Sequence, residues 1–99
     1  MNNPNKRYRT ADLYYAAYLG VAGCTLIECK AVREEGSLRA FFFFEHTDML
    51  KDLKRDYFNR KGKVAALQYA DEVRSMKGQT HEAMAEAKAA EETARGARR

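Results

Sequence analysis

Two runs, 24–33 and 38–45, carry apolar residues at every second position from Ile27 to Ala31 and from Ala40 to Phe44, and Glu34-Glu35-Gly36-Ser37 separates them. That pattern predicts a β-hairpin, with strands over 24–33 and 38–45 and the tetrad as its turn. If Arg33 pairs with Leu38, one face collects Ile27, Cys29, Ala31, Ala40, Phe42 and Phe44. It is apolar throughout and is the expected core side, because a slip of one residue would turn the whole set to solvent. The other face holds Leu26, Glu28, Lys30, Val32, Arg39, Phe41, Phe43 and Glu45, a mixed set with two aromatic rings that a solvated face does not need.

Around the hairpin the period lengthens to that of helices. Thr10 is the expected N-cap of a first helix from about Ala11 to Leu19, with Asp12 in its first turn. Leu13, Ala16, Ala17 and Gly20 give it a small-residue face for close packing, and Tyr14 and Tyr18 pair on a neighbouring face. A second helix is expected from Thr47 to about Asn59, burying Leu50, Leu53 and Tyr57, with Met49 and Phe58 at its edges. A third is expected from Val64 to Met76, burying Leu67, Ala70, Val73 and Met76 and ending near Gly78.

The two ends lack this patterning. Residues 1–7 are polar and expected to be loose and flexible. Residues 78–99 are rich in Ala and Glu and favour helix intrinsically, but Met84 is their only large apolar side chain. They read as a solvated, fraying helical tail with a basic end at Arg95, Arg98 and Arg99. The predicted architecture is a single small α+β domain over 8–77, helix–hairpin–helix–helix, followed by that tail. Ninety-nine residues leave room for one domain and no deep two-domain cleft.

Charge adds a second layer. The net charge of +4 is unevenly placed: residues 1–10 carry +3, 11–36 carry −2, 37–63 carry +3 and 64–99 are neutral. A basic cluster favours a polyanionic partner. The candidate phosphate contacts are Lys51, Lys54, Arg55, Arg60, Lys61 and Lys63, with Arg7 and Arg9 assisting.

Several chemistries find no support. Cys24 and Cys29 are read as reduced thiols of a cytoplasmic protein, since an odd separation on one strand points them to opposite faces. Val21-Ala22-Gly23-Cys24 has the form of a lipoprotein cleavage box. The stretch before it contains Asp12, Tyr14, Tyr15 and Tyr18 rather than a greasy middle, so no processing is expected. The uncharged run from Leu13 to Ile27 is too short to span a bilayer and is split by Gly20 and Gly23, so no membrane attachment is expected. His46 and His81 stand apart, the cysteine spacing is loose, and no phosphate loop or nucleophile motif occurs. No metal, cofactor or catalytic residue is expected.

The stretch Tyr8-Arg9-Thr10-Ala11-Asp12-Leu13-Tyr14, followed by Ala16-Ala17-Tyr18-Leu19 and Gly23, resembles a small family of uncharacterised domains found in phage, prophage and bacterial genomes. Phe42–Phe44, Asp56-Tyr57-Phe58-Asn59, Tyr69, Arg74 and Lys77 fit the same pattern, so the resemblance runs over about 8–77. It implies a helix–hairpin–helix–helix domain carried on a mobile element, and it implies no activity.

Two functions are therefore expected. The first is a non-enzymatic protein-interaction module, homodimeric or part of a larger assembly, using Tyr14, Tyr18, Phe41 and Phe43 as its contact face. The alternative is a nucleic-acid module that contacts the phosphate backbone through the basic cluster. In that case Phe41 and Phe43, flanked by Lys30 and Arg39, form a platform for unpaired bases.

Overall fold

The computed structural model describes residues 3–96. In chain order these form β1 (Asn3–Thr10), α1 (Leu13–Val21), β2 (Leu26–Glu34), β3 (Ser37–His46), α2 (Leu50–Phe58) and α3 (Ala66–Gly96). The sheet is antiparallel with strand order β1-β3-β2, and the core residues of all three helices gather on one of its faces. This is an α+β fold.

The hairpin has the register that the alternation predicts: Arg33 lies opposite Leu38, and Phe42 and Phe44 are fully buried. Glu35 and Gly36 both take positive φ, 51° and 82°, the backbone of a two-residue turn whose twist matches that of the strands it joins. One detail differs. A bulge between Leu26 and Glu28 makes Ile27 an extra residue, so Leu26 turns into the core and Ile27 is exposed.

The N-terminal segment is not loose over its described part. Residues 3–10 form the third strand, with Tyr8 opposite Phe44 and Arg9 opposite Phe43. The physical reason is the free edge of β3, whose backbone groups β1 pairs while Tyr8 packs against the core. Met1, Asn2 and residues 97–99, with Arg98 and Arg99 of the expected basic end, lie outside the described residues, as does the Arg95 side chain.

The first helix starts later than expected because Asp12, not Thr10, is its N-cap. The Asp12 carboxylate accepts from the Tyr15 amide at 3.1 Å, and Thr10 Oγ1 accepts from the Asp12 amide at 3.1 Å. Its small-residue face works as predicted: Ala16 and Ala17 are fully buried, and Gly20 lets Glu72 of α3 lie close. Leu50 of α2 is buried, with Leu53 and Tyr57 packed beside it. After α2 the chain passes over Tyr18 at Gly62, where a Cβ would sit 2.7 Å from the ring.

The third helix departs most from expectation. It runs unbroken through Gly78 to Gly96, and Leu67 is 81% exposed, not buried. Val73 and Met76 face the core as expected, joined by Tyr69 and, just ahead of the helix, Val64. Beyond Gly78 the helix lies along β2: Ala83 is buried, and the Arg33 guanidinium holds Glu91 at 2.8 and 2.9 Å. A mid-helix glycine costs about 1 kcal/mol relative to alanine. Contact with the sheet over two further turns offsets that, so the tail is docked and not frayed.

Candidate interaction surface

With every helix on the Phe42 side, the opposite sheet face is left to its own side chains. Direct strand pairing puts Arg9, Phe43 and Glu28 in one row, Arg7 beside Glu45, Lys30 beside Phe41, and Val32 beside Arg39. Ion pairs cross this face from one edge strand to the other. Arg7 meets Glu28 at 2.8 Å, and Arg9 meets Glu34 at 2.9 Å. On its way the Arg9 guanidinium lies 4.3 Å from the centre of the Phe41 ring, while that of Arg39 lies 5.4 Å away. Both are within reach of cation–π attraction.

Phe41 is consequently only 5% exposed although no helix touches its side of the sheet. The arginine stems cover it and keep their charged heads in water. It is a roofed ring, not a bare stacking platform. Phe43 is half-buried and Lys30 and Arg39 are exposed, with no acidic partner for either among the described residues.

The structure divides the other expected contacts. Tyr14 is 51% exposed on the outer side of α1, where its carbonyl accepts from the Tyr69 hydroxyl at 3.1 Å. Tyr18 is in the core, 5% exposed, its ring 5.2 Å from that of Tyr57. The four aromatic residues therefore do not form one face. Only Phe41 and Phe43 share a surface.

The basic residues also split. Lys51, Lys54, Arg60, Lys61 and Lys63 are exposed on α2 and the loop after it, and Arg60 takes a positive φ of 62°. Arg55 belongs to the same helix but is held by Asp52 at 3.2 Å and Asp56 at 3.5 Å. Arg7 and Arg9 point onto the open sheet face and are engaged there with acids.

The helix-covered side holds a cluster of phenols. The Tyr8 hydroxyl donates to that of Tyr15 at 3.2 Å, and the Tyr15 ring stands 5.1 Å from Tyr57. Burial pushes the hydroxyls of Tyr15, Tyr18, Tyr57 and Tyr69 above the ordinary value of 10.0. Burial also raises the thiols of Cys24 and Cys29, which keeps both protonated and poorly nucleophilic. Among the described residues no three His, Cys, Asp or Glu side chains come together as metal ligands, and no helix is long and apolar enough to cross a membrane.

This architecture accompanies a family match. The pattern of a domain of unknown function (DUF5659) covers residues 5–82. The chain belongs to that family. No curated protein and no solved structure matches it. The match takes in the sheet from Asn5 onward, α1 and α2, and stops one residue before the buried Ala83.

The roof over Phe41 was missed because Arg9 reads as the approach to the first helix, with Thr10 as its cap, and not as part of a strand. A signal was present. Lys6-Arg7-Tyr8-Arg9-Thr10 alternates long polar side chains with an aromatic one, the signature of a half-buried strand.

Proposed function

We propose that the chain is a non-enzymatic protein-interaction module of the type carried by phages and mobile elements, and that its contact surface is the open sheet face. One observation carries this reading: a three-stranded sheet has all its helices on one side, and the bare side is built from aromatic rings within a lattice of arginines and glutamates. Such a face suits a partner that brings an apolar group onto Phe43 and a carboxylate to Arg39. Aromatic residues and arginine are enriched at protein contacts for this reason. The mobile-element origin rests on the Tyr8–Tyr14 motif alone.

The test is site-specific photocrosslinking in the producing cell. A photoreactive phenylalanine at Phe43 should capture a discrete protein adduct, and Arg39→Glu should abolish it. Capture at Tyr14 but not at Phe43 would move the surface to α1.

A second reading has its own support. Lys51, Lys54, Arg60, Lys61 and Lys63 are all exposed on one helix and its following loop, an arrangement suited to phosphate contact. In that case binding to short DNA or RNA falls log-linearly with salt, with a slope of about −3 to −5. Replacing Arg60, Lys61 and Lys63 by Ala should flatten the slope. A dissociation constant weaker than about 100 µM at low salt, where charge effects are strongest, would eliminate this reading.

A further inference from the structure

Strand β2 has one unpaired edge, and that edge is open. A groove of about 280 Å³ runs along it, lined by Glu28, Cys29, Lys30 and Ala31 on the strand and by Ala83, Glu86 and Ala87 on α3. The turn at Glu35–Gly36 makes Glu34 and Ser37 a hydrogen-bonded pair, and bonded and non-bonded pairs alternate in an antiparallel ladder. Val32, Lys30 and Glu28 therefore direct their backbone groups to β3. Cys29, Ala31 and Arg33 direct theirs to the free edge, where no backbone group of the described residues receives them. Natural sheets protect such edges; this one has a bulge at Ile27 and the exposed Lys30 but no proline, and α3 walls the groove without pairing with the strand's backbone among the described residues.

We infer that the β2 edge is a self-association site, at which β2 of a second copy adds antiparallel to form a continuous six-stranded sheet. The charge pattern selects the second copy as occupant. With the two-fold axis on Cys29, Glu28 of each copy lies directly opposite the second copy's Lys30. Opposite charges facing each other across strands are stabilising, and like charges destabilising. Centring the axis on Lys30 sets that lysine against itself, and centring it on Ala31 sets Glu28 against Glu34. Centring it on Val32 pairs Lys30 with Glu34; Glu28 and Glu34 each already hold one arginine, so the groove decides, and it ends at Ala31, short of that axis. The pairing leaves both copies' helices on the same side of the sheet. Helices pack about 8–10 Å apart, the distance depending on the side chains at the contact, and Ala83 and Ala87 put small ones on the groove wall. The open sheet face stays free in this dimer, so the inference stands apart from the proposal made for that face.

The experiment is sedimentation of the full chain with charge-swap variants. The wild-type protein should sediment at twice the 11.3 kDa chain mass at micromolar concentration. Lys30→Glu places four carboxylates around the axis and should weaken association at least about tenfold. The double variant Glu28→Lys with Lys30→Glu restores opposite pairs and should restore the dimer, with circular dichroism confirming that every variant is folded. The Cys29 Cα atoms of a hydrogen-bonded pair lie about 5.5 Å apart, within disulfide span. Copper-catalysed air oxidation, with oxygen taking the two electrons, should therefore link two chains through Cys29, and Cys29→Ser should abolish the link. A wild-type protein that stays monomeric at 100 µM overturns the inference, as does a dimer indifferent to Lys30→Glu.

Discussion

Phe41 and Phe42 are adjacent on one strand and equally hidden, yet they are hidden in different ways. Phe42 faces the helices and packs among apolar side chains of α1, α3 and the sheet. Phe41 faces away from every helix and is covered by two guanidinium groups, one of them anchored by Glu34. The helix-covered side excludes water by close packing, which brings dispersion and hydrophobic terms together. The open side excludes it with side chains that remain partly solvated and can swing away. The same aromatic residue therefore packs into the core on one side and lies under an arginine roof on the other.

Alkaline pH attacks the covered side through its buried tyrosines, and it should give the largest effect. The phenols of Tyr15, Tyr18, Tyr57 and Tyr69 are raised in the folded state, so the unfolded chain ionises first. Their contribution is complete below the ordinary value of 10.0 and is lost as pH rises through the folded values. Melting temperature should be flat from neutral pH to about pH 9 and fall steeply above about pH 10. Tyrosinate absorbance should rise together with unfolding. Free titration of all the phenols in a chain that stays folded would contradict the packing described for them.

Truncating Phe42 to Ala should destabilise by about 3–5 kcal/mol, the cost of an aromatic cavity in a packed core. A loss below about 1 kcal/mol in denaturant melts would mean that the two sides of the sheet are interchanged. Ending the chain after Gly78 removes the cover over Cys29 and Ala31 together with the Arg33–Glu91 contact. About 2 kcal/mol should be lost, which for a domain of this size lowers the melting temperature by roughly 10 °C. An unchanged melting temperature would return the tail to solvent.

On the open side the effects should be smaller. Phe41→Ala should cost about 1.5 kcal/mol, at most about half the Phe42 value, because one side of the ring is lined only by arginine stems. Arg9→Ala should cost about 0.5 kcal/mol while leaving Phe41 more exposed, measurable as faster exchange of the β3 amides. Equal costs for Phe41 and Phe42 would erase the contrast between the two faces.

Much of this was legible from residue order. The hairpin register, the inward parity of Phe42 and Phe44, the packing face of α1 and the burial of Leu50 and Met76 follow from spacing alone. Spacing works there because a strand has period two and a helix 3.6, so one apolar residue commits its neighbours to a face. Elsewhere spacing misled. Leu67 fits a helical stripe but faces solvent, because α3 begins at Ala66 and its first turn overhangs the core. Tyr14 and Tyr18 share a helical stripe, yet only Tyr18 meets the loop at Gly62 and the Tyr57 ring.

The sequence by itself determined the local order: which segments extend, which coil, and which side of each must be buried. Those properties depend on neighbours within a few positions. Tertiary structure alone decided that the N-terminal residues would close the β3 edge, that Arg9 would roof Phe41 and reach Glu34, and that the alanine-rich helix would continue past Gly78 to hold Arg33. Each of these is a contact between residues 25 to 58 positions apart. Their strength comes from the free edge, exposed ring or uncovered strand already present at the far end, and no local pattern encodes that.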